Sequence, residues 1–300
     1  MATVPARVVT FDGPAVASVG RLQTLWLTIK KKPLGAFSAA LLVVIVLMAI
    51  FADVLAPYDP LETHPEIRLS APSGAHPFGT DDIGRDVLSR IIHGARISLW
   101  VGLLAVGIGT AAGMLIGLVC GYWEGQIDLI TQRVMDAIQA IPALVLALAI
   151  VSVLKPSTTN AMLAIAIVII PGNSRIVRGA VLTAKQNRYV EAAQAMGCRH
   201  PRIITSHILP NVTAPILVIA SIWLGNAILI EATLSFLGVG TQPPTPSWGL
   251  MLSSTGRAFM EQAPWLAIFP GLAISLAVLG FNLFGDTLRD AWDPKLRRQG

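Results

Sequence analysis

Long apolar runs separated by short charged segments constrain this chain more than any other feature. The 300 residues are 54% hydrophobic and 13% charged, with a mean hydropathy of +0.66. A soluble domain carries about 25% charged residues. The first run, 34–56, has 23 residues, which is long enough to cross a hydrocarbon core of about 30 Å. It is longer than the core of a secretory signal, so we expect an uncleaved first helix of a polytopic membrane protein.

Six apolar segments are predicted to span the membrane, which makes the expected fold an all-α helical bundle with six transmembrane helices. The segments are 34–56, 97–121, 129–154, 160–179, 212–230 and 265–285. The fourth has a short apolar core, 161–171, and must continue through Gly172, Asn173 and Ser174. Such a span is tolerated only if that face is buried in protein or lines a watery cavity.

The distribution of basic residues predicts that both termini are cytoplasmic. With this orientation, 16 of the 22 Lys and Arg residues fall on the inner side, as the positive-inside rule requires. The chain then divides into a cytoplasmic N-terminal segment (1–33), a first helix with its long external loop (34–96), a five-helix core (97–286) and a cytoplasmic tail (287–300). The core contains a cytoplasmic segment, 184–211.

Two segments are long for simple helix connections, and both are predicted to be external. The first, 57–96, begins with turn-forming residues and becomes amphipathic toward its end. The second, 238–264, contains three prolines within "GTQPPTPSWG". They could shape an outer gate, meet an external partner, or simply cap the bundle. One helical face in the first segment is apolar, comprising Ile83, Val87, Leu88, Ile91 and Ile92.

Glycine recurs every four residues in the second predicted span. A four-residue step keeps these positions close to one helix face, and small residues there let another backbone approach closely. We interpret the repeat as a helix-packing motif, not as a ligand site. Its members are Gly109, Gly113, Gly117 and Gly121.

The sequence gives no support for an enzyme. It contains no GxxxxGK[ST], HExxH, GxSxG or dinucleotide fingerprint. The five histidines have no metal-ligand spacing, and the two cysteines are far apart, so no metal site or disulfide is expected. We expect no cofactor on this chain and no nucleic-acid partner.

Polar residues inside predicted spans are candidates for a translocation path, because ionisable groups are costly in lipid. Asp136 is the best placed of them, although an interfacial pair with Arg133 would explain it equally. Glu231 and Asp286 lie near span ends and are expected at headgroup level. The candidate path residues are Asp136, Gln139, Asn173 and Asn226; Asn226 could also bond between helices.

The segment "EAAQAMGCRHPRIITSHILPNV" is predicted to form two short cytoplasmic helices. Tyr189, Ala192, Ala193 and Met196 share one helical face, and Gly197 suits a left-handed helix end. Pro201 suits the first position of the second helix. Ile203, Ile204, His207 and Ile208 line one side of that helix, and Pro210 is expected to end it.

A basic loop of this kind could serve topology alone, by binding anionic headgroups. The small residues at its surface, framed by Gly197 and two prolines, exceed what topology requires. Small residues permit close docking, so the pattern favours contact with a cytosolic protein.

This segment resembles the EAA motif of the permease subunits of bacterial ABC importers. His207 stands where the family has Ile. Six residues match the motif in register: Glu191, Ala192, Ala193, Gly197, Leu209 and Pro210. The "HILPN" form is similar to the dipeptide, oligopeptide and nickel branch. Further stretches resemble the C-type subunit of that branch: "FGTDDIGRDVLSRIIHGARISL", "RVMDAIQAIPALVLALA", "SFLGVGTQPPTPSWGLML" and "FNLFGDTLRDAWDPKL".

The resemblance implies a transport role in the bacterial inner membrane. In such importers the EAA segment is a coupling helix in a cleft of a cytosolic ATPase. The implied partners are a second, B-type permease, two ATPase subunits that bind ATP and Mg²⁺, and an external binding protein. The implied substrates are di- or oligopeptides or glutathione-like peptides, with nickel or nickel chelates as the alternative.

Two hypotheses from other classes remain alongside this one. A secondary transporter or channel would predict internal repeats and charge pairs on broken helices; the sequence shows no convincing repeat. An intramembrane enzyme has no supporting motif.

Overall fold

A computed structural model describes residues 33–253 and 259–292, and over these ranges the chain is helical and contains no strand. The predicted N-terminal segment, apart from Pro33, and residues 293–300 of the predicted tail lie outside them. The α-helices are α1 (Pro33–Ile50), α2 (Ala52–Leu55), α3 (Val87–Trp123), α4 (Gly125–Gln139), α5 (Ala143–Leu154), α6 (Thr158–Lys185), α7 (Arg188–Ala195), α8 (His200–Arg202), α9 (Leu209–Phe236), α10 (Trp248–Met251) and α11 (Trp265–Trp292). A 3₁₀ turn covers Pro65–Ile67, and a π-helix covers Ile203–Ile208.

The described residues contain five helices that are long and apolar enough to span a membrane, or six when the bent pair α4–α5 counts as one span. This confirms the predicted all-α bundle. Helix α3 begins at Val87, ten residues before the predicted span, because Asp86 caps it by accepting a 2.7 Å bond from the Ser89 amide. The amphipathic stretch and the second span are therefore one helix.

The third span is not the single straight helix that the sequence predicts. Helices α4 and α5 meet at 89° across residues 140–142. Pro142 has no amide hydrogen to donate, and its ring disfavours helical geometry at Ile141. The helix therefore stops and restarts with Pro142 in an extended conformation, ψ 134°.

Helices α3 and α6 form the tightly packed centre of the bundle through the glycine repeat. A Cβ atom placed on Gly109 would lie 2.7 Å from the Ala166 carbonyl oxygen, and one on Gly121 would lie 2.8 Å from Cβ of Val181. The same face of α6 buries Asn173. Helix α9 packs on α3, α6 and α11, and α1 packs on α3 and α11.

The described residues that directly precede α3 and those that follow α9, 237–253 and 259–264, fold into a cap over one end of the bundle. The indole nitrogen of the fully buried Trp248 donates to the Ile91 carbonyl over 3.0 Å, and that of Trp265 donates to the Thr80 carbonyl over 3.1 Å. Arg85 binds Asp81 at 2.7 Å, with Arg90 nearby. Because α3 runs from this cap to the segment 184–211, the two lie at opposite ends of the bundle.

Candidate functional sites

Residues 184–211, named here the coupling segment after the role that the family resemblance implies, fold around a tight turn at Gly197. Gly197 has φ +78°, in the left-handed region that favours glycine. Its amide donates to the Gln194 carbonyl over 2.9 Å, and the Cys198 amide donates to the Ala193 carbonyl over 3.1 Å. These two bonds form a Schellman motif, which satisfies carbonyls that the end of α7 would otherwise leave unpaired.

One face of the coupling segment packs inward, and another faces away from the bundle. Val190, Ala193, Ile203 and Ile208 are buried in a cluster with side chains of α3, α6 and α9. On the opposite face, Tyr189 is 41% exposed and Met196 77% exposed. Glu191, Ala192, Gly197 and Pro210 are also exposed, whereas His207 and Leu209 are half-buried.

The second half of the segment departs from the prediction at both prolines. Helix α8 begins at His200, so Pro201 is its second residue. Pro210 does not end the helix, because the π-helical turn 203–208 leads directly into α9. Residues 200–236 form one continuous helical rod, so the coupling segment connects to a span without a break.

The structure also joins the coupling segment to the end of α3, which the sequence analysis missed. The Tyr122 hydroxyl and His200 Nδ1 lie 2.7 Å apart in a hydrogen bond. Lys185 Nζ donates to the Tyr122 carbonyl and to Glu124 Oε1, each over 2.8 Å. These contacts join residues that are separated by 78 and 63 positions in sequence. A pattern within either segment alone does not reveal such a contact.

The predicted path residues are not brought together. Asp136 and Gln139 are exposed on α4, and Asn226 is exposed on α9, where its amide bonds its own helix over 3.4 Å. Asn173 is fully buried between α3 and α6, and its Nδ2 donates to Thr110 Oγ1 over 2.9 Å. Its Oδ1 has no hydrogen-bond partner within the described residues.

Asp136 instead belongs to a set of ion pairs that fasten α4 to α6. Arg175 donates to Asp136 over 2.6 Å, whereas Arg133 is 4.0 Å away. Arg178 binds both carboxylate oxygens of Asp128, at 2.6 Å and 2.5 Å. These two pairs border a polar cleft of about 310 Å³. A third pair, Lys185 with Glu124, lies outside the cleft at the N-terminal end of α4.

Glu231, which lies near the end of a predicted span, is buried inside the protein. It is 1% exposed, enclosed by α3, α9 and the start of the cap. Its carboxyl group accepts bonds from Ser235 at 2.8 Å, from Ser98 at 3.1 Å and from Thr241 at 3.4 Å. Residues 238–247 fold over the end of α9 and cover the side chain, a burial that the position of Glu231 near a span end does not reveal.

A surface charge cluster joins α2 to α3 near the end of α1. Arg96 donates to Asp53 over 3.0 Å and to the Ala49 carbonyl, and His93 also contacts Asp53. The hydrogen bond from Arg96 is the main cause that lowers the pKa of Asp53 from its ordinary value. The cluster holds α2 against α3.

A helical bundle with five or six candidate membrane spans has the architecture of an integral membrane protein. Residues 113–298 match the model of the family described as binding-protein-dependent transport system inner membrane component. Residues 20–72 match the N-terminal transmembrane domain of oligopeptide transport permease C. The chain belongs to the family of binding-protein-dependent transport system inner membrane components, and it is a multi-pass protein of the bacterial inner membrane.

Curated relatives are similar over most of their length. A dipeptide transport system permease protein of Alkalihalophilus pseudofirmus is 47% identical over 269 residues, which cover 90% of this chain and 88% of the relative. The dipeptide permease of Haemophilus influenzae is 44% identical, covering 92% and 96%. A glutathione transport system permease protein of Pectobacterium atrosepticum is 42% identical, covering 91% and 90%. The chain is therefore a permease subunit of the ABC transport class.

Proposed function

We propose that this chain forms half of the translocation path of an ATP-driven importer for di- and oligopeptides or glutathione-like peptides. The similar permeases are named for dipeptides, di- and tripeptides and glutathione, which supports a peptide substrate over nickel or a nickel chelate. The partners in this proposal are a B-type permease, two cytosolic ATPases that bind ATP and Mg²⁺, and an external binding protein. ATP hydrolysis belongs to the ATPases, and both termini are cytoplasmic.

The observation that carries the proposal is the exposed face of the coupling segment. Tyr189, Ala192 and Met196 present apolar surface there, next to the glycine turn, while the opposite face is anchored in the bundle. Exposed apolar surface rimmed by polar groups marks a docking site. We assign to this face the contact with an ATPase subunit, made by Glu191, Ala192, Gly197 and Pro210, with Ala193, His207 and Leu209 supporting it from beneath.

The test compares Gly197→Asp with the isosteric Gly197→Asn. A Cβ atom at Gly197 would meet no atom within 4 Å, and both Asn and Asp tolerate positive φ better than other residues. The two variants therefore place similar strain on the turn and differ in the charge they present to the partner. We expect both to insert normally, and only Gly197→Asp to lose most of the substrate-stimulated ATPase activity of the reconstituted complex.

Equal stimulation in Gly197→Asp and wild type would refute the docking role. The substrate is tested by adding dialanine, trialanine, glutathione or a nickel–histidine chelate, each with the external binding protein, to the same proteoliposomes. Stimulation by the nickel chelate alone would replace the peptide assignment.

Orientation requires its own measurement, since the proposal places the coupling segment in the cytoplasm. Cys198 lies in its turn and is half-buried. A membrane-impermeant maleimide applied to intact cells should leave Cys198 unmodified, and should label it after the inner membrane is opened. Labelling in intact cells would reverse the orientation.

A further inference from the structure

The hydrogen bond between Tyr122 and His200 connects two parts of the molecule with different roles. His200 opens α8 directly after the glycine turn, and Tyr122 is the next-to-last residue of α3, 5% exposed. We propose that Tyr122 is a positioning residue that carries movement of the coupling segment into the packed pair α3 and α6. This inference rests on the proposed function and assigns a transmission step within it.

The backbone around Tyr122 is fixed, so a force on its side chain is passed on. Lys185 binds the Tyr122 carbonyl and the Glu124 carboxylate, and its Nζ lies 5.6 Å from the centre of the Tyr122 ring. Glu124 and Gly125 both have positive φ, 52° and 62°, and form the sharp corner between α3 and α4. Lys185, the last residue of α6, thus holds the corner while His200 holds the ring.

Close packing then extends the link along the helices. Gly117 and Gly121 of α3 lie against α6 without space for a methyl group between them. Packed interiors transmit displacement because they have little free volume. Displacement of His200 would therefore reach α3 through Tyr122, and would reach α6 through both the glycine contact and Lys185.

A hydrogen bond suits this role better than the apolar contacts around it. Burial of Ile203 and Ile208 is non-directional and tolerates sliding. The bond to His200 depends on distance and angle, so it specifies one register between the segment and α3. The rings also meet edge to face, with centroids 5.6 Å apart, so Tyr122→Phe removes the hydroxyl and retains the shape.

The two cysteines of the chain allow the step to be measured without a transported substrate. Cys198 lies in the coupling turn, and Cys120 is buried in α3, two positions before Tyr122. The assembled transporter is alkylated with and without ATP and vanadate, and the modification rate of each cysteine is read by mass spectrometry. In wild type, the nucleotide should change both rates.

In Tyr122→Phe we expect the nucleotide-induced change in modification rate to persist at Cys198 and to fall about fivefold at Cys120. A change of about fivefold in an equilibrium constant corresponds to the net contribution of one ordinary hydrogen bond. Transport of labelled dialanine per ATP hydrolysed should fall with it. His200→Leu should reproduce the loss, and His200→Gln, which retains a polar side chain, should restore most of it. Tyr58→Phe is the matched control, since Tyr58 donates its hydroxyl to the Ala75 carbonyl in the cap.

Unchanged Cys120 response in both Tyr122→Phe and His200→Leu would overturn the inference. His200 is exposed, so the second variant tests the same bond if loss of the Tyr122 hydroxyl impairs folding. Failure of the proposed function itself would give a different experimental result. In that case Cys198 of the wild type would not respond to nucleotide, and Gly197→Asp would leave ATPase stimulation intact.

Discussion

Replacing Gly117 by alanine tests the contact between α3 and α6 directly. The added Cβ would lie 2.5 Å from the Ser174 carbonyl oxygen and 2.7 Å from Cβ of Val177. Favourable contacts are about 3.5–4.0 Å. The obstructing atoms are backbone and branched carbon, which cannot rotate away. The helices must therefore separate by about 1 Å, which forfeits a quarter to a half of each neighbouring dispersion contact.

The expected loss follows from overpacking set against helix propensity. Inserting one methyl group into a filled contact costs about 1–3 kcal/mol. Alanine in place of glycine in a helix contributes about 1 kcal/mol in the opposite direction. The matched control is Gly107→Ala on the same helix, where an added Cβ meets no atom within 4 Å. Both variants gain the helix propensity of alanine. The difference between their free energies of unfolding therefore isolates the cost of the close contact, about 1–3 kcal/mol.

The assay is the thermal unfolding midpoint of the purified proteins in one detergent. For chains of this size, about 1 kcal/mol corresponds to a shift of about 2–4 °C. Gly117→Ala should therefore unfold several degrees below Gly107→Ala. Equal midpoints for the two variants would refute the argument that the glycine repeat is required for close packing.

Four further substitutions test other contacts by the same assay. Glu231→Leu should lower the free energy of unfolding by about 1–3 kcal/mol, because buried hydroxyl groups lose their shared acceptor; an unchanged midpoint would contradict the buried network. Asp128→Asn should cost about 1.5–3 kcal/mol, since Arg178 loses a charge-assisted pair. Asp136→Asn should cost less than about 1 kcal/mol, because its pair is exposed. A larger cost for Asp136→Asn than for Asp128→Asn would be inconsistent with the observed burial. Trp248→Phe should cost about 1–3 kcal/mol by removing a buried hydrogen bond and part of the indole packing inside the cap, and Tyr58→Phe at the surface serves for comparison.

The features predicted correctly from sequence are those that neighbouring residues decide. A span satisfies its backbone hydrogen bonds within itself, so apolar length suffices to locate it. The turn at Gly197 is equally local, because the left-handed residue and its two bonds lie within six positions. Helix α6 also continues through Asn173 and Ser174, both buried, as the hydropathy argument requires.

The features that were wrong or missed depend on residues distant in sequence. Pro142 indicates an interruption, but whether a proline kinks a helix or breaks it depends on the surrounding packing. The burial of Glu231 depends on how residues 238–247 fold back over α9. The pairs of α4 with α6 join residues 39 to 61 positions apart, which no periodicity within one helix can reveal.

Taken with the connectivity, these contacts indicate which parts move together. Helices α3 and α6 are joined by glycine packing along one face, and α4 is fastened to α6 by three ion pairs. The coupling segment continues covalently into α9 and is bonded to α3 through Tyr122. A cytosolic partner acting on the coupling segment would therefore displace α3, α4, α6 and α9 as one body. Helices α1 and α11 pack on that body through the apolar cluster around Leu42, Ile274 and Phe281, and Arg96 of α3 also bonds the Ala49 carbonyl at the far end of α1. Apolar contacts permit sliding, so we expect the relative movement in transport at this cluster.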